Sequence, residues 1–487
     1  MAFVTDFVIS RKNSVTDFVI SSANSVTDFV ISSANSVTDF VITGAHVVTM
    51  DGARTEFTDG YVAVTGNKIT AVGQGQAPEF PGARTIDARG CLLTPGLVNT
   101  HHHLYQWITR GLAADSTLFQ WLTTLYPIWA GIDADAVHTA ATGGLAALAK
   151  TGCTTTTDHH YVVPRDAGDV FEAEISAAAQ VGLRFHPTRG SMDLGQSSGG
   201  LPPDHVVEKL DDILTGTAAV INRWHDPSPD SMLRIAVAPC SPFSVTEALL
   251  RESAVLARES GVRMHTHLAE TLDEQDFCAE LFGCTPMEYM ERVGWVGPDV
   301  WFAHAVHLDD SAIETMTRTG TAAAHCPTSN ARLGAGIART RDLLDAGVTI
   351  GLGVDGAASN EACSLVEESR HALLFARARG GPQALTVRTA LELGTVGGAR
   401  VLGREHEIGS VEVGKLADLA VWDLNTLAHT GITDPVAALV LGSTPPLKLL
   451  MCNGVVVVAD DRVTTIDEDV VASDVARAHL DLVRKAG

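Results

Sequence analysis

The sequence predicts an α/β protein: a (β/α)8 TIM-like barrel with a small β-sandwich domain formed from both termini. Three observations predict it. Beyond about Gly90, short apolar segments alternate with amphipathic helical ones, the pattern of a parallel sheet with crossover helices. Histidines and other polar residues crowd the C-terminal ends of those apolar segments, where such barrels place their sites. Finally, β-type alternation precedes the barrel and returns after Gly403, in Ile408-Gly-Ser-Val-Glu-Val-Gly-Lys-Leu-Ala-Asp-Leu-Ala-Val-Trp422. Neither flank alone makes a stable sheet, so the two are expected to share one.

The first element is a repeat. Val-Thr-Asp-Phe-Val-Ile occurs four times, starting at Val4, Val15, Val26 and Val37, a period of 11 residues. Solenoid repeats usually run to about 20 residues or more, so a solenoid is not predicted. Only the fourth copy continues into a longer pattern, Asp39 to Gly52, which reads as strand, turn, strand. Residues 1–36 are therefore expected to be a duplicated extension outside the fold. A non-enzyme alternative, assembly or adhesion through the repeated β-prone segments, is the competing reading.

Residues 37–90 and 404–487 are assigned to the composite β domain and 91–403 to the barrel. Barrel strands are expected to end at Asn99, Asp158, Arg189, Ala238, His267, His304, His325 and Asp355. Helices are expected at Ala134–Lys150, Val170–Val181, Glu247–Ser260, Asp273–Val293 and Asp310–Thr319.

Composition excludes several function classes. With 34 basic against 58 acidic residues the net charge is −24, a field that repels nucleic acid and anionic membranes. No apolar run reaches the roughly 18 residues of a membrane span, and no signal-peptide pattern opens the chain. Eight scattered cysteines without a CxxC pair point to reduced thiols and a cytoplasmic location.

The chemistry resides in the histidines. Pro95-Gly-Leu-Val-Asn-Thr-His-His-His103 ends the first barrel strand. In extended chain, residues i and i+2 share a side, so His101 and His103 can converge on one cation while His102 turns away. The fifth strand supplies Met264-His-Thr-His-Leu-Ala-Glu270, in which either His265 or His267 could be a ligand and Glu270 a proton carrier. His304 ends the sixth strand. Asp355, before Gly and small residues, is either a helix cap or a ligand facing the barrel mouth. Neutral imidazole with carboxylate is a zinc donor set.

These pieces, with His304-Ala-Val-His307, His325-Cys-Pro-Thr-Ser-Asn330 and Gly353-Val-Asp-Gly-Ala-Ala-Ser-Asn360, resemble the amidohydrolase superfamily, in its branch of zinc-dependent aminohydrolases. The resemblance implies His101, His103, His267 and Asp355 as ligands of one zinc ion per subunit. It also implies Glu270, His304 and Asp355 as catalytic residues. A bridging lysine on the fourth strand is absent from Ile235-Ala-Val-Ala-Pro-Cys240, which implies a single metal.

Further stretches, among them Asp158-His-His-Tyr161 and Gly199-Gly-Leu-Pro-Pro203, are similar to bacterial 8-oxoguanine deaminases. The activity so implied is 8-oxoguanine plus water to urate plus ammonia. Deamination of isoxanthopterin or guanine, or hydroxytriazine aminohydrolysis, is the alternative. Gln106, where similar guanine deaminases place a glutamine, and Arg189 are expected to bind the substrate, a small heterocyclic base. The aromatic run from Trp121 to Trp129 is expected to close the barrel mouth. A homo-oligomer is expected, with no nucleic-acid or membrane partner.

Overall fold

The computed structural model describes residues 38–486. The first three copies of the repeat lie outside the described residues. Eight parallel strands close into a barrel in chain order. They are β1 (Leu97–Asn99), β2 (Cys153–His160), β3 (Arg184–Ser191), β4 (Ala236–Pro239), β5 (Met264–Leu268), β6 (Val300–His304), β7 (Ala322–His325) and β8 (Ile350–Leu352). Each of their residues is buried, as expected of a parallel sheet covered by helices on its outer side.

The helices form where capping residues start them. Asp133 caps α2 (Ala134–Lys150) and Asp169 caps α3 (Val170–Val181), each accepting a hydrogen bond from a first-turn amide. An earlier helix, α1 (Leu118–Trp129), crosses the C-terminal mouth of the barrel. The helix expected over Asp273–Val293 is instead two, Leu272–Phe282 and Pro286–Arg292. Gly283 takes a left-handed conformation (φ 66°) that ends the first, and Thr285 with Pro286 starts the second.

Strands from the two ends of the chain form one nine-stranded sheet. The fourth repeat copy enters it as the strand Phe40–Val48. The turn expected inside this segment is a pair of register shifts instead, with Gly44 at φ 78°. A bulge of this kind bends a strand without ending it. Phe40–Val48 can therefore pair first with Arg84–Asp87 and then with Cys91–Pro95 along one side. Cys91–Pro95 in turn pairs antiparallel with Leu419–Asp423, joining N- and C-terminal strands. Ile42, Val62, Leu93, Val421 and Met451 make the apolar core of this sheet.

Two of the contacts that hold the sheet to the barrel flank the start of its strands. Only Gly96 separates Cys91–Pro95 from β1, and a Cβ there would lie 2.2 Å from the Thr154 hydroxyl. Arg184 at the start of β3 is buried and pairs with Asp418 at 2.8 Å. The terminal helix Glu468–Ala486 packs back on α1 and α2.

Candidate metal centre and active site

Two stitches bring the first and last barrel strands together. His102–His103 and Asp355–Gly356 form a short parallel ladder, and the Asp355 amide donates to the His101 carbonyl at 3.1 Å. His101 and His103 then face one side, and the His103 amide donates to His102 Nδ1 at 2.8 Å. Asp355 (φ 61°) and His304 (φ 71°) both hold left-handed backbone, a conformation that costs energy in residues with a Cβ. Such strain persists where surrounding contacts dictate the side-chain direction.

The protons on these rings follow from their partners. A carbonyl oxygen only accepts, so a ring nitrogen beside one carries the hydrogen. His103 Nδ1 lies 2.7 Å from the His159 carbonyl, and His267 Nδ1 lies 2.6 Å from that of Cys240. His265 Nδ1 lies 2.9 Å from the Trp301 carbonyl. His265 Nε2 is therefore an acceptor, and it takes the His101 Nδ1 hydrogen at 2.8 Å. Burial lowers the pKa of His101 and His267 well below the ordinary value, so these rings are neutral.

Three ring nitrogens and one carboxylate oxygen consequently converge. His103 Nε2 and His267 Nε2 are 3.1 Å apart, and Asp355 Oδ1 lies 3.1 Å from His101 Nε2 and 3.2 Å from His103 Nε2. His101 Nε2 is fully buried and without a hydrogen-bond partner. Lone pairs this close repel unless a cation lies among them. Tetrahedral zinc, with ligands at about 2.0–2.1 Å, separates its donors by roughly 3.3 Å. The residues fit that group. The spacing left His265 and His267 as equal candidates; the geometry puts His267 among the converging donors and His265 behind His101.

Other groups aim the site. Asp355 Oδ2 accepts from Ser329 and Ser359, at 2.5 and 3.1 Å, which leaves Oδ1 for the cluster. His304 Nδ1 bonds Asn330 Oδ1 at 2.9 Å, and its Nε2 lies 3.6 Å from Glu270 Oε2. Burial raises the Glu270 carboxyl pKa, and the opposing pull of His304 does not cancel it. Burial lowers that of His304, but the carboxylates of Glu270 and Asp355 more than offset this and the net shift is upward. A buried acid with a raised pKa next to a basic ring is an arrangement suited to moving protons near neutrality.

The cavity above the donors is walled by aromatic and aliphatic side chains. Leu118, Trp121, Leu122 and Tyr126 of α1 form its roof, with Tyr161 and Phe243 at the sides. Trp121 Nε1 ties the roof to the loop after β8 by donating to the Ala358 carbonyl at 3.0 Å. Trp129 of the same aromatic run packs away from the cavity, edge-on to Tyr105.

The two residues expected to read the substrate are not among those lining this cavity. Arg189 lies on the helix-facing side of β3. Its guanidinium makes a two-pronged pair with Glu208, at 2.8 and 2.7 Å, and covers the Phe171 ring of α3. Gln106 is fully buried against Gly356, and its Nε2 lies 3.5 Å from the Tyr105 hydroxyl. The sequence held His265 open as a possible ligand without showing its place behind His101, and it gave no role to Ser329, Asn330, Ser359 or Tyr161. Ser329, Asn330, Ser359 and Tyr161 all stand inside recognised motifs, but nothing in the order of residues tells which atoms they meet.

Residues 92–458 match the amidohydrolase family. The chain belongs to that family. This amidohydrolase is 43% identical over 410 residues to an 8-oxoguanine deaminase of Pseudomonas aeruginosa, covering 84% of this chain and 91% of that one. It is 37% identical over 449 residues to an isoxanthopterin deaminase of an unknown prokaryotic organism, covering 87% and 92%. Its fold matches that of a crystal structure of atrazine chlorohydrolase from Arthrobacter aurescens complexed with zinc. There the TM-score is 0.86 at 33% identity, over 90% of this chain and all of the other. The amidohydrolase is thus a metal-dependent hydrolytic deaminase acting on a heterocyclic base. Among the described residues no helix is long and apolar enough to cross a membrane.

Proposed function

We propose that the chain converts 8-oxoguanine and water to urate and ammonia, with one zinc ion per subunit held by His101, His103, His267 and Asp355. The observation that carries the substrate choice is the cavity. Above the donor side chains it is lined by aromatic and aliphatic groups, and no lysine or arginine is among the described residues lining it. Such a slot suits an uncharged planar base and offers nothing to a phosphate. The similarity to the Pseudomonas aeruginosa 8-oxoguanine deaminase supports the same reading. The enzyme is read as a cytoplasmic homo-oligomer; its eight free cysteines suit a reducing compartment.

Zinc, when bound, lowers the pKa of water and supplies a nucleophile at neutral pH. Asp355 takes a proton from the attacking water and passes it to the departing amine. Glu270 delivers a proton to the ring nitrogen next to the carbon under attack, where charge accumulates as water adds. His304, held by Asn330, orients the water and steadies the charge at the tetrahedral carbon. The carbon–amine bond then breaks, the hydroxyl proton returns to Glu270, ammonia leaves and a carbonyl remains. Tyr161, edge-on to the His103 ring at 5.1 Å, confines the base from the side.

Isoxanthopterin is the second reading, because it too is flat and uncharged and its deaminase is 37% identical. The test is kcat/KM for ammonia release from 8-oxoguanine, guanine, isoxanthopterin and hydroxyatrazine. The largest value is expected for 8-oxoguanine; a larger one for any of the others overturns the assignment.

A further inference from the structure

Behind β2, on the side away from the cavity, Asp158, His160 and Glu174 bring donor atoms within 4.8 Å of one another. All three are fully buried. By residue type the group could be taken for a second metal site. Counting hydrogens leads elsewhere.

His160 Nε2 lies 2.8 Å from the Val162 carbonyl and must donate to it, which leaves Nδ1 of the neutral ring as an acceptor. Glu174 Oε1 meets that nitrogen, so the hydrogen between them has to come from a protonated Glu174. Glu174 Oε2 is buried with no partner, and so is Asp158 Oδ2. Two bare carboxylate oxygens cannot remain side by side in a dry interior without a proton between them. The other Asp158 oxygen accepts the Leu104 amide at 2.6 Å. One arrangement with a neutral ring satisfies every atom. Asp158 donates O–H to Glu174, Glu174 donates O–H to His160, and His160 donates N–H to Val162.

Burial acts in the same direction on each member. It raises both carboxyls well above their ordinary values and lowers His160 to about 4. The cation that could have neutralised a charged carboxylate, Arg189, is committed to Glu208.

We propose that Asp158, Glu174 and His160 form an uncharged proton-sharing chain that positions His103 for the metal. The connection is short. Asp158 fixes the amide of Leu104, and the carbonyl of its neighbour His159 takes the His103 Nδ1 hydrogen. Strand end β2 thus clamps the ligand and the residue after it. Asp158 is a positioning residue, and the inference rests on His103 being a ligand, as proposed above.

The experiment compares the zinc-loaded full chain with Asp158→Asn, Asp158→Ala and Glu174→Gln. An amide offers one acceptor and one donor, as the protonated acid does. Asp158→Asn and Glu174→Gln should therefore retain zinc against a chelator within about twofold of the parent. Asp158→Ala leaves the Leu104 amide without its acceptor and should release zinc roughly tenfold or more readily. Melting temperatures identify a variant that merely fails to fold. Asp158→Asn as leaky as Asp158→Ala overturns the proposal. So does a second metal equivalent in the parent that Asp158→Asn loses. Neither readout depends on the substrate, so failure here is distinct from failure of the 8-oxoguanine assignment.

Discussion

His265 offers the sharpest test of the metal centre because it touches no metal in the proposed scheme. Its Nε2 accepts from His101 Nδ1 at 2.8 Å, its Nδ1 donates to the Trp301 carbonyl at 2.9 Å, and its ring stacks on Trp301. In His265→Ala the His101 Nδ1 hydrogen is left buried without an acceptor. An unsatisfied buried donor costs about 1–3 kcal/mol, and losing the partner that orients a ligating histidine costs roughly ten- to a hundredfold in metal affinity. The two figures agree, since tenfold is about 1.4 kcal/mol. His265→Gln puts a side-chain carbonyl near the lost Nε2 and should recover part of the affinity. The assay is competition for zinc by a chromophoric chelator, with thermal melting of the zinc-loaded forms to separate loss of metal from loss of packing against Trp301. An alanine variant that holds zinc as tightly as the parent, or a glutamine variant no better than alanine, refutes the ring-by-ring assignment of protons.

Asp355→Asn should keep the left-handed backbone, which asparagine tolerates, yet lower kcat by about 100-fold or more because an amide cannot take the proton; ammonia release at measured zinc content checks this. Glu274 and Glu368 are fully buried acids whose pKa burial raises from 4.5 to about 8. Each is expected to be protonated when folded and ionised when unfolded between pH 4.5 and 8, so its contribution is present at the acid end and lost as pH rises through about 8. Melting temperature should fall across that window, and less steeply in Glu274→Gln; an unchanged slope removes Glu274 from the account. Deleting residues 1–36 should leave kcat and melting temperature as they are, because Phe40–Val48 is already paired along both sides; an unfolded barrel would refute this.

Much of the architecture could be read from residue order because short-range signals decide it. Asp133, Asp169 and Asp309 start helices at the expected residues, and the His-x-His pair on an extended segment points one way whatever surrounds it. Arg189 shows where such reading runs out. A strand that ends near a site sends alternate residues to opposite faces, and the order of residues does not say which face Arg189 takes. Only the Glu208 pairing settles that. The roles of His265, Ser329 and Ser359 were hidden for a related reason. His265 and Ser329 depend on partner atoms 36 and 26 residues away, the carbonyl of Trp301 and the carboxylate of Asp355, while Ser359 meets that carboxylate from four residues on, in a turn whose shape the residue order does not give.

The joint sheet also imposes an order on synthesis. Leu93 pairs on one edge with Val47 and on the other with Val421, which in turn pairs with Leu449, so one edge of the strand leading into His101 has to wait for residues more than 300 positions later. A ribosome releases all four proposed ligands before that second edge can be closed. Contacts over that distance form slowly, and until then the strand leading into His101 is paired along one edge alone.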